Sequence, residues 1–165
     1  MDDSTRRIVR TLVQDELSAV ETYLQALEKV EDEPEAYELR RLEVDHEESL
    51  GLLRDTAAEL GEAPPDSSGA WGAWKRAVEG TARLLGNRPA IRALRDGEEA
   101  TLRDYEGALR EESLPEPLRD LIADRLLPRA RGRVPVLDGL LHGRGAGASY
   151  HADQGYGPAG AGRAE

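Results

Sequence analysis

Two glutamates recur in the same setting, Glu16 in DELSAVETYLQAL and Glu98 in GEEATLRDYEGAL. Each is followed seven residues later by a tyrosine, Tyr23 and Tyr105, and each tyrosine leads to an Ala-Leu pair, Ala26-Leu27 and Ala108-Leu109. Seven residues is about two helical turns, so carboxylate and phenol share one face. That face is apolar, with Val9, Val13, Val20, Tyr23 or Leu24, Leu27 and Val30 in the first segment, and Ile91, Leu94, Leu102, Tyr105 and Leu109 in the second. A carboxylate on such a stripe is costly unless something pairs with it. A third segment adds an imidazole. Glu43-Val44-Asp45-His46 places His46 on the stripe Leu39, Leu42, Ser49 or Leu50, Leu53, Ala57 and Leu60, with Glu43 at its edge, so both side chains can reach one point.

Three carboxylates and an imidazole suit a metal site built from Glu16, Glu43, His46 and Glu98, with Fe, Mn or Zn as the fitting ions. A different partner is also on offer. Residues 118–133 hold 5 arginines against 2 aspartates. Guanidinium forks bind carboxylates well in partly buried places, so Arg125, Arg129, Arg131 or Arg133 could pair with Glu16 and Glu98 instead. The chain has no cysteine, which excludes thiolate nucleophiles and Cys-based metal centres. It shows no Gly-rich phosphate loop and no catalytic triad.

The elements that must position these groups read as helices. Helix 1 is expected at about 4–31, capped by Asp2, Asp3 and Ser4 or Thr5. Pro34 opens helix 2, which runs to Leu60 with Gly61 just beyond its end. After the loop 62–69, Trp71, Trp74, Val78, Ala82 and Leu85 fit a short crossover helix at about 68–85, the tryptophans packing it down. Asn87-Arg88-Pro89 opens helix 3, which is expected to reach about Glu112. Helix 4 starts at Leu114-Pro115-Glu116-Pro117. Pro128, Gly132 and Pro135 predict a kink or break near 128–135, with a last turn or two around Val136–Leu141. Residues 142–165, dominated by Gly and Ala, read as a disordered tail after a helical domain at 1–141, and leave His142 and His151 solvated.

Charged residues make up 33% and aromatics 4% of the 165 residues, with no phenylalanine. The net charge of −11 argues against nucleic acid as a partner. No apolar run is long enough to span a membrane, and the N-terminus MDDSTRRIVR lacks the apolar core of a secretory signal. A cytoplasmic location is the expectation.

Glutamate on helix 1, Glu-x-x-His on helix 2 and glutamate on helix 3 is the order in which ferritin-like bundles supply carboxylate-bridged metal ligands. Gly97-Glu98 is similar to the Gly-Glu that opens a ligand helix in rubrerythrin-type sequences. Over about residues 7–141 the chain also resembles a bacterial family of ferritin-like four-helix bundles of unknown function, through Ser67-Ser68-Gly69, the aromatic stretch Trp71 to Lys75, Gly97-Glu98-Glu99 and Tyr105. The resemblance implies an all-α, antiparallel ferritin-like four-helix bundle and an Fe or Mn site linked to stress. Helix 4 departs from the pattern. A full dimetal site needs a second Glu-x-x-His there, and Asp120 and Asp124 are followed three residues on by Ala123 and Leu127. Two readings therefore stand. One is a ferritin-like metal-binding protein with a partial site. The other is a metal-free structural or interaction module, using its acidic face or the Trp71/Trp74 crossover against a protein partner or a second copy.

Overall fold

The computed structural model describes residues 2–63 and 87–143. The expected crossover helix at 68–85 and the expected tail after His142 lie outside the described residues, apart from Gly143. All regular structure within them is helical, with no strand: α1 (Asp3–Leu27), α2 (Glu33–Glu59), α3 (Arg88–Leu109), α4 (Glu116–Leu121) and α5 (Leu127–Leu141). A π-helical turn, Ile122–Leu126, joins α4 to α5.

Local sequence sets most of the ends. Asp2 caps α1, its Oδ1 accepting from the Thr5 amide at 2.7 Å. Asp32 does the same for α2 with the Glu35 amide at 3.0 Å, and Pro34 occupies the first turn, where its missing N–H leaves no bond unmade. Gly61 ends α2 at φ 78°, with the Glu62 amide returning to the Ala57 carbonyl at 2.9 Å. That is the left-handed cap a glycine adopts without steric cost. Helix 1 stops at Leu27, short of the expected 31, because the Lys29 and Val30 amides both turn back to the Ala26 carbonyl.

The expected break near 128–135 is not where the irregularity falls. Helical structure continues through Pro128, Gly132 and Pro135 to Leu141, and the deviation is the π turn just upstream. Proline 128 has no amide to give and crowds the carbonyl one turn back. The wider π turn is a way to absorb that crowding within a helix. It also changes the phase. Leu118, Ile122, Leu126 and Ala130 are all buried at a constant step of four residues, which an α-helix of 3.6 residues per turn would rotate off the core.

α1 packs most extensively on α2, and α3 on α5, while α1 also lies against α3 and α2 against α4. End contacts fix the directions. Thr5 bonds the Ser113 carbonyl and Arg6 pairs with Glu62, so α1 begins where α2 and α3 finish. Asn87 bonds Glu35 at the other end, and Arg95 pairs with Asp138. The apolar core falls into two clusters. One gathers Val9, Leu12, Val13, Leu53, Tyr105, Leu118, Ile122 and Leu126, and the other Tyr23, Ala26, Leu39, Leu42, Ile91, Leu94 and Leu137. Between them lies a buried layer of acidic and basic side chains, Glu16 from α1, His46 from α2, Glu98 from α3 and Arg133 from α5.

Candidate functional site

His46 is the hub of this polar layer. Its Nδ1 lies 2.6 Å from Glu16 Oε2 and its Nε2 lies 2.6 Å from Glu98 Oε1. The two tyrosines complete the carboxylates by crossing over. Tyr23 on α1 donates to Glu98 Oε1 on α3 at 2.6 Å, and Tyr105 on α3 donates to Glu16 Oε1 on α1. Because the two helices run in opposite directions, the repeated Glu-to-Tyr spacing makes each tyrosine serve the other helix's glutamate. The Tyr23 ring also sits beside His46, centroids 5.2 Å apart.

Arg133 enters from α5, only 2% exposed. Its Nε is 2.9 Å from Glu98 Oε2, its Nη2 is 3.5 Å from Glu16 Oε1, and its Nη1 donates to Asp45 Oδ2 at 3.1 Å. The Glu98 contact is close but off the N–H direction, so Glu98 Oε2, Arg133 Nε and Arg133 Nη2 are ion-paired without being hydrogen-bonded. Arg133 Nη1 also lies 3.2 Å from His46 Nδ1, a contact whose donor and acceptor roles follow the protonation of the ring.

The electrostatics follow from that geometry. Burial pushes His46 down, yet Glu16 and Glu98 outweigh it and hold the imidazole up at about 9. Burial pushes the Glu98 carboxyl up, but His46, Arg133 and Tyr23 hold it below the usual carboxylate range. Burial lowers Arg133 and the carboxylates Glu16 and Glu98 more than restore it, leaving the guanidinium raised and charged. Tyr23 and Tyr105 are raised by burial and by the carboxylates they bond, so both stay protonated donors. At neutral pH His46 and Arg133 are thus cations and Glu98 an anion, with Glu16 and Asp45 beside them.

Three of the four residues expected to share a site do so: Glu16, His46 and Glu98. Glu43 does not join them. It is buried beside Glu47, its carboxyl raised by burial and by the charge and hydrogen bonding of Glu47, and His46 acts on it only through charge. The arginine that enters is Arg133. Arg129 turns outward to Asp45 and Glu48, Arg131 pairs with Glu106 on the surface, and Arg125 is exposed.

A second carboxyl pair was not legible as a site. Asp15 and Asp104 meet across the seam between α1 and α3, where a cavity of about 230 Å³ is also lined by Ser18, Thr22, Gly97 and Thr101. Burial, the Asp104 charge and Glu16 push the Asp15 carboxyl up to about 7, and its Oδ2 is buried without a hydrogen bond. The available signal was positional. Asp15 precedes Glu16 and Asp104 precedes Tyr105, so once Tyr105 bonds Glu16 their neighbours must also meet.

The layer as arranged does not fit a metal ion. Both imidazole nitrogens of His46 face carboxylates at hydrogen-bonding distance, and a doubly protonated ring has no lone pair to offer. The Arg133 guanidinium stands against the remaining carboxylate oxygens. Among the described residues, no group of three or more His, Asp or Glu is disposed to hold a metal. Nor is any of their helices long and apolar enough to cross a membrane. No protein-family model, no curated protein and no solved structure matches the chain.

Proposed function

We propose that the chain is a metal-free helical module of ferritin-like four-helix-bundle architecture, structural or protein-interacting in role. Its core carboxylates are neutralised by Arg133 and His46. The observation that carries this reading is the guanidinium of Arg133, 2.9 Å from Glu98 and 3.5 Å from Glu16, in a layer that His46 also pairs with. A divalent ion entering there would meet two cations at short range. Arginine is suited to the position, being charged at every accessible pH and able to reach two carboxylates at once. The surplus of acid lies outside the core, as a net charge of −11 that disfavours nucleic acid and leaves basic protein surfaces as the partners it favours.

The test is Glu16→Ala combined with Glu98→Ala, with metal analysis and thermal melting of both proteins. No stoichiometric Fe, Mn or Zn before or after, together with a large fall in melting temperature, is the expected result. Bound metal in the parent that disappears in the variant would establish the second reading, a ferritin-like metal-binding protein, which the convergence of Glu16, His46 and Glu98 favours. Unchanged stability without metal would refute both.

A further inference from the structure

Three large apolar side chains are exposed among the described residues, and two of them share the outer face of α2: Tyr37, 64% exposed, and Val44, 48% exposed. Seven residues further on, the same stripe reaches Gly51, exposed in mid-helix, with nothing within 4 Å of a notional Cβ. Its φ is not positive, so the backbone has no need of a glycine that weakens the helix there. We propose that this face binds a second copy of the chain, α2 lying antiparallel on α2 with Val44 at the two-fold axis. The inference rests on the interaction-module reading above and names the partner.

Seven residues is about two turns, so Tyr37, Val44 and Gly51 form one stripe. With Val44 opposite Val44, the two-fold axis sets Tyr37 of each copy over Gly51 of the other, a large ring against the position that has no side chain. The charges flanking the stripe fit the same register. Arg40 and Arg41 stand about one turn before Val44, and Glu47 and Glu48 about one turn after it. Arg40 then lies beside Glu47 of the second copy and Arg41 beside its Glu48, so that opposite charges meet on both flanks. A parallel copy would set Arg on Arg, Glu on Glu and Tyr on Tyr. All four charged groups are exposed. Their bonds within the chain, Arg40–Glu33 at 3.3 Å, Arg41–Glu38 at 2.8 Å and Glu48–Arg129 at 3.1 Å, each have at least one end more than half exposed. Weak pairs of that kind leave room for a second partner. The two arginines and two glutamates balance on a chain of net charge −11, so like-charged copies can meet there without local repulsion. A helix face of about 35 by 10 Å covers less than the roughly 800 Å² per partner of a standard interface, so a dissociation constant of about 10–100 μM is expected.

The experiment is sedimentation equilibrium of the full chain from about 5 μM to 1 mM, with the average mass expected to rise from 18.1 kDa towards that of a dimer. Gly51→Leu should weaken association about tenfold or more while melting no lower than the parent, because it fills the place of the Tyr37 ring yet suits a helix. Arg40→Glu with Arg41→Glu should abolish association, and adding Glu47→Arg and Glu48→Arg should restore it. The chain has no cysteine, so Val44→Cys should give a disulfide dimer on oxidation with diamide and Gly51→Cys should not. A chain that stays monomeric at about 1 mM, whatever then covers the face, would overturn the proposal. Association indifferent to Gly51→Leu, or equal crosslinking at positions 44 and 51, would do the same. Such a failure leaves the core layer untouched, since metal content and melting of the Glu16/Glu98 variant decide that reading separately.

Discussion

Arg133 and His46 carry charge into a place that would otherwise exclude it, and each should be costly to remove. Arg133→Met leaves Glu16 and Glu98 with one cation between them. Breaking a buried pair in this way typically costs about 3–5 kcal/mol. Arg129→Ala, which removes a partly exposed pair, should cost no more than about 1 kcal/mol. Urea denaturation of the two variants checks the contrast, and equal losses would mean that Arg133 is not the core cation. The pH dependence has a defined sign. His46 rises on folding from 6.5 to about 9, so the stability it gives is full below pH 6.5 and is lost as pH climbs through about 9. Asp15 rises from 3.8 to about 7, so its contribution likewise fades with increasing pH, between about 4 and 7. Glu98 is held low and works in the other direction, its contribution being lost as pH falls below 4.5. Melting temperature should therefore be highest on the acid side of neutrality and decline towards pH 10. Asp15→Asn should remove the part of the decline below about pH 7. A curve that rises from pH 5 to 9 would contradict this assignment.

At the scale of elements, most of the helical framework was legible and one feature decided what was not. The cap at Asp2, the prolines opening α2 and α3, and Gly61 beyond α2 are local signals with local causes, and the structure has them all. Polar residues on apolar stripes likewise pointed to Glu16, His46 and Glu98. Which arginine faces them could not be read, because the π turn at Ile122–Leu126 shifts the phase of everything after it, and π turns leave no period in a sequence. Glu43, read at the edge of the stripe, is buried there beside Glu47, and His46 acts on it only through charge. Gly51 within α2 and Gly61 just beyond it make a quantitative check. Gly51 is exposed in mid-helix with open space around a notional Cβ, so Gly51→Ala should stabilise by about 0.5–1 kcal/mol. Gly61, at φ 78°, should lose about 1 kcal/mol or more on the same change. Denaturant midpoints moving in the same direction for both would show that one of these conformations is wrong.

Over the described residues, two apolar clusters are separated by one polar layer in which Glu16, His46, Glu98 and Arg133 meet from four helices. The arrangement is specific because any slip of one helix by a turn would replace a paired charge with an unpaired one. Its charge depends on the proton count of His46, and that quantity separates a salt-bridge layer from a metal site more directly than any other. Nitrogen-15 spectra of the His46 ring at pH 7 should show two N–H protons, on Nδ1 and Nε2, with imidazolium shifts that persist until about pH 9 and do not move when Zn, Mn or Fe is added. A neutral ring with one bare nitrogen at pH 7, whose resonance shifts on addition of metal, would contradict the salt-bridge layer and make His46 a ligand.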